Sequence, residues 1–88
     1  MTSRYDDAIS AASMVLQSQP GYGPTLRVAI AANALADRAN AARAVLERHT
    51  ALEPEARISS LRETYLRRVA PEAFEVLADG LRKAGFPE

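Results

Sequence analysis

Proline and glycine divide this chain into stretches, because neither residue readily continues a helix from its interior. The breaks fall at Pro20-Gly21-Tyr22-Gly23-Pro24, at Glu53-Pro54, at Ala70-Pro71 and at Gly85-Phe86-Pro87. Between them nothing alternates apolar and polar residues with the period of two that a half-buried strand needs, so each stretch reads as helix. The 18 alanines strengthen the reading, since Ala is the best intrinsic helix former and is small enough for helix backbones to approach closely. An all-α fold of tightly stacked helices is expected.

The stretch 5–19 places Ala8, Ile9, Ala12, Val15 and Leu16 at spacings of three and four, with Asp6 and Asp7 near the positive end of the helix dipole. The stretch 25–50 is too long for one ordinary surface helix, and its apolar stripe is interrupted at Asp37-Arg38-Ala39-Asn40. Asp and Asn tolerate the left-handed conformation that ends a helix and also cap the next one, which predicts two helices over about 24–36 and 39–51. Residues 55–69 put Ile58, Leu61, Tyr65, Leu66 and Val69 on one face and Arg57, Arg62, Arg67 and Arg68 on the other. The last helix opens with Pro71 in its first turn, carries Glu72 and Glu75 early, and continues through Phe74, Val76, Leu77 and Leu81. Gly85 stops it, and a left-handed Gly85 folds Phe86 back onto Leu81.

Eleven basic side chains balance eleven acidic ones, so no net field recruits a polyanion or an acidic membrane face. One His and no Cys exclude a cysteine nucleophile, a disulfide framework and a multi-ligand zinc site. Asp6 and Asp7 point in different directions on a helix and cannot work as an acid and base pair. Gly21-Tyr22-Gly23 follows no strand and precedes no Lys, unlike a phosphate loop. The expectation is a protein without catalysis, cofactor or metal. The N-terminus is polar and no apolar run reaches membrane-spanning length, so a soluble, cytoplasmic protein is expected.

A repeat runs through the sequence. Pro20 and Pro54 stand 34 residues apart; Ala8 and Ala42 precede them by 12, and Arg4 and Arg38 by 16. Ser3-Arg4-Tyr5-Asp6-Asp7-Ala8-Ile9 resembles the turn and second-helix start of the tetratricopeptide repeat family, and Asp37-Arg38-Ala39-Asn40-Ala41-Ala42 looks like the same stretch one repeat later. In place of the family's usual Trp and Tyr stand Leu26 and Asn33, so the Asn33 amide must find a partner or face a wet groove. Asp79-Gly80-Leu81-Arg82-Lys83-Ala84-Gly85-Phe86-Pro87-Glu88 resembles the closing segment of bacterial regulatory proteins with a C-terminal tetratricopeptide array, among them nucleotide cyclases and winged-helix regulators.

The resemblance implies a stack of antiparallel helical hairpins with about five helices. Residues 3–22 supply the second helix of an incomplete repeat, 23–56 a full repeat, and 57–88 a degenerate capping repeat. It further implies a fragment of a longer regulatory protein, whose task is to bind a protein or peptide partner. Groove residues in that family come from the first helix of each repeat, which points to Arg27, Ala31, Ala34, Arg62, Tyr65 and Arg68 as partner-binding candidates. In that register the helix that covers Ile9, Ala12 and Leu16 is missing, so these three are candidates for self-association into a homo-oligomer.

Each candidate has a plainer reading. The arginines, Arg57 and Arg67 included, can form a solvated face balanced by Glu53, Glu55 and Glu63. His49 reads as a cation at a helix C-terminus or a partly buried packing residue, and Tyr22 as a loop aromatic set on the core. A capping segment that only oligomerises is the alternative function. A helix-turn-helix DNA reader drawn over 55–84 has only Arg82 and Lys83 at the far end of its second helix.

Overall fold

A computed structural model describes residues 4–88; Ser3, at the start of the repeat-like turn, lies outside the described residues. Five helices follow one another: α1 (Arg4–Ser18), α2 (Gly23–Leu35), α3 (Ala39–Leu52), α4 (Ile58–Tyr65) and α5 (Pro71–Ala84). The described residues contain no strand, and the protein is all-α. None of these helices is long and apolar enough to cross a membrane.

The helix ends follow from local chemistry. Pro20 bars α1 from continuing, and Pro24 sits in the first turn of α2, where a missing N–H costs no hydrogen bond. The expected break near Asp37 is present. Asp37 takes φ +62°, its N–H bonds the Ala34 carbonyl at 3.1 Å, and the Arg38 N–H bonds the Asn33 carbonyl at 2.8 Å. Gly85 repeats the arrangement at the end of α5, with φ +99° and bonds from Gly85 N–H to Arg82 and from Phe86 N–H to Leu81. Both are Schellman stops, which satisfy carbonyls that a helix end otherwise leaves without partners.

The helix expected over 55–69 is shorter, at Ile58–Tyr65. Its first two amides, from Ile58 and Ser59, donate to the carbonyls of Pro87 and Glu88 at 2.8 Å each, so the C-terminal segment sets where α4 begins. At the other end Ala70, held extended ahead of Pro71, follows a run of turns.

Helix α2 is the centre of the molecule. It is apolar nearly all round, and Leu26, Ala29, Ile30, Ala31, Ala32 and Ala34 are all buried, as a helix without a polar face must be. Helices α1, α3 and α5 lie against it, while α4 packs on α5. The α2–α5 contact is close because α5 carries Gly80 opposite Ala31. A Cβ at position 80 would stand 2.6 Å from the Ala31 Cβ and 2.8 Å from its Cα and carbonyl oxygen. Phe74, Ile58, Leu81 and Phe86 form one core cluster with Ile30 and Ala31 of α2, and Val45 and Leu46 of α3 pack against it. Helix α5 thus rests on α2 and carries α4 with it.

Candidate functional site

The six partner-binding candidates do not share one open face. Arg27 is 8% exposed and held by three side chains: Nε donates to Tyr65 Oη at 3.1 Å, and Nη1 lies 3.1 Å from His49 Nε2 and 3.3 Å from Glu53 Oε2. Its place in a groove is therefore corrected. A guanidinium this buried needs partners for its donors, and α3 with its C-cap Glu53 and the end of α4 supply them. Tyr65 stacks its ring 5.5 Å from Phe74, and Arg62 lies over Phe74 while its Nη1 reaches Glu75 at 2.7 Å. Arg27, Tyr65 and Arg62 are thus brought together, but as a self-satisfied cluster. Ala31 is buried against Gly80, Ala34 is buried at the end of α2, and Arg68 is exposed beyond α4.

His49 is 1% exposed, packed on Phe86 with ring centroids 5.3 Å apart. Burial pushes its pKa below the ordinary 6.5; the Glu53 carboxylate pulls it back up, and the Arg27 charge pushes it further down. Of the two readings, helix-end cation and packing residue, the structure has the second, with the ring buried in the core. Tyr22 departs from expectation. The turn closed by its N–H on the Gln19 carbonyl leaves the ring 49% exposed at the start of α2. Asn33 has the partner its burial demands, donating to the Ala29 carbonyl at 2.8 Å.

The self-association candidates also move. Ala12 is buried on α2, and Ile9 and Leu16 are half-buried, lining a cleft of about 320 Å³ between α1 and α3. Small side chains on both helices let α1 settle on α2, which buries Ala12 and leaves Ile9 and Leu16 with part of their surface on that cleft. The exposed apolar stripe of α1 is Ala11, Met14 and Val15.

A second groove runs along the other side of α1. Its floor is α2 (Ala31 and Ala32), and its walls are Val28 of α2, Ala8 of α1 and Ala73, Val76 and Leu77 of α5, around a volume of about 210 Å³. Past Val28 and Ala8 a second hollow of about 290 Å³ continues it, lined by Ala11, Val15, Pro24 and Thr25. Arg4 and Tyr5 mark one end. Val28 and Val76, 41% and 48% exposed, stand on its rims. The walls are alkyl, so the trough can bury an apolar surface, with Arg4 at its end as the charged residue among its lining. Among the described residues no group of three His, Asp or Glu side chains is placed to hold a metal ion.

Of the apolar residues that run through α5, Val76 stands away from the core, 48% exposed. Phe74, Ala78 and Leu81 are the buried residues there, at i, i+4 and i+7, and that spacing leaves Val76 on the far side. The signal was available in the sequence. Comparison of the chain with family models, with curated proteins and with solved structures finds no match.

Proposed function

We propose that the chain is a protein-interaction module, without catalysis of its own, that receives an apolar helical face of a partner protein in the α1–α2–α5 groove. The supporting observation is the continuous apolar trough along the α1–α2 seam, with two exposed valines on its rims. Its small floor residues let a helix backbone come close, and burial of alkyl surface supplies the driving force, at roughly 25 cal/mol per Å² before the costs of association. The helical-hairpin resemblance supports the same reading, with the module serving a larger regulatory protein. Arg82 and Lys83, which a DNA-reading second helix would need, are occupied by Glu88, Asp79 and Asp37.

A second reading, self-association, is favoured by Met14 and Val15, an exposed helical stripe next to the groove. One pair of variants tests both. Val28→Asp and Val76→Asp change rim positions that are already wet, so the fold should survive. Helical peptides selected from a display library should lose at least about tenfold in affinity, about 1.4 kcal/mol, for either variant. If every selected peptide binds both variants as well as the parent, the groove is not the site. A dimer in sedimentation velocity that both substitutions dissolve would instead assign the groove to a second copy.

A further inference from the structure

The buried polar cluster around Arg27 has no part in the groove. It joins elements that otherwise touch little. Helix α4 packs on α5, and its ties to the α2–α3 hairpin include the Arg27–Tyr65 hydrogen bond. They also include the C-terminal segment, in which Phe86 packs on His49 while the Pro87 and Glu88 carbonyls hold the first amides of α4. Both ties run through the same few side chains.

We infer that Arg27, His49 and Glu53 form an acid-released latch, in which protonation of His49 breaks its bond to Arg27 and loosens α4 and the C-terminal segment from the α2–α3 hairpin.

A guanidinium has only donors, so the 3.1 Å contact of Arg27 Nη1 with His49 Nε2 is a hydrogen bond when that nitrogen carries its lone pair, in the neutral tautomer with the proton on Nδ1. The latch is closed in that tautomer. Protonating Nε2 sets two donors and two positive charges face to face at that distance. Glu53 Oε2 lies 3.3 Å from both His49 Nε2 and Arg27 Nη1. Without moving, that oxygen can accept the new N–H, but it is then shared between two cations, so its hold on Arg27 weakens and Tyr65 is left as the firmest partner of the guanidinium. A buried cation stripped of hydrogen bonds is costly, so the side chain must move toward water.

The charges around His49 are few. Helix α2 brings Arg27, the end of α3 brings Glu53, α4 brings the Tyr65 hydroxyl through Arg27, and the C-terminal segment brings the uncharged Phe86 ring. The cations of α5, Arg82 and Lys83, are turned outward to Glu88, Asp79 and Asp37. The sign follows. The folded state disfavours the charged imidazole, so its contribution to stability is complete above the unfolded value of 6.5 and is lost as pH falls through the lower folded value. The carboxylates of Asp37 and Glu88 are themselves held below their ordinary range by Lys83 and Arg82, so they titrate at more acid pH.

His49 is the only histidine in the chain, so its ring protons can be followed by NMR without ambiguity. In the natural chain the ring should titrate with a midpoint below 6.5. The urea midpoint should fall between about pH 7 and pH 5, where histidine is the ordinary titrating side chain. Over the same interval exchange of the Ile58 and Ser59 amides should quicken beyond its intrinsic pH dependence. His49→Gln keeps an acceptor for Arg27 but does not titrate, and should flatten both responses. A midpoint at or above 6.5, unchanged exchange at Ile58 and Ser59, or a pH slope that survives in H49Q would each overturn the latch. Should H49Q fail to fold, the titration and the exchange in the natural chain still decide.

Discussion

Gly80 shows how much one hydrogen atom can decide. An Ala in the middle of a helix is ordinarily better than Gly by about 1 kcal/mol, which argues for Gly80→Ala as a stabilising change. The contact with Ala31 reverses the sign. The new methyl would fall within 3 Å of both the side chain and the backbone of α2, and backbone cannot swing aside as a flexible side chain can. Overpacking of this kind costs about 1–3 kcal/mol, so Gly80→Ala should lower the melting temperature, measured by circular dichroism at 222 nm. Ala31→Gly in the same chain should restore only part of the loss, because the Ala31 Cα and carbonyl oxygen stay at 2.8 Å from the added carbon. A double variant as stable as the parent would show that the Cβ–Cβ contact was the whole effect.

The two Schellman stops make a matched experiment at the level of the element. Gly85 holds a left-handed conformation that costs it nothing, so Gly85→Ala should destabilise by about 1 kcal/mol. Asp37 holds the same conformation with a Cβ, so Asp37→Gly relieves backbone strain and gives up the Lys83 ion pair. Both partners of that pair are exposed, where ion pairs contribute little, and thermal melts should show D37G more stable than the parent and G85A less stable. Both stops were legible because the residues that make them are neighbours in sequence. The start of α4 was not, since its first two amides find their acceptors at Pro87 and Glu88, far along the chain. For the same reason nothing marked Arg27 as buried: its partners His49, Glu53 and Tyr65 come from other elements, and a lone arginine in an apolar stripe reads as a surface charge. The groove was half legible. Its alanines and valines stand at helical spacings, but which apolar stripe of α1 stays open depends on how the helix settles on α2.

For the whole molecule, the arrangement around α2 determines how it should unfold. The radius of gyration is 12.0 Å, which matches the value of about 12 Å for a compact domain of this length, and an open stack would exceed it. With α1, α3 and α5 all resting on one helix, no pair can leave without exposing α2, so unfolding should be a single cooperative transition. Phe86 is the sharpest probe, because it closes the core from the C-terminal side, touches His49, and belongs to the segment that starts α4. Removing a buried phenyl ring costs about 3–5 kcal/mol, a large share of the roughly 5–15 kcal/mol that holds a small domain together. Phe86→Ala should therefore lower the denaturant midpoint steeply, with helix and tyrosine signals lost together, whereas Phe86→Leu should cost less because it fills most of the same space. If the C-terminal segment were only an appended tail, F86A would unfold at the parent's midpoint. If α4 and the segment formed a separate unit, the two signals would part in the variant, and α2 would not be the organising helix of the fold.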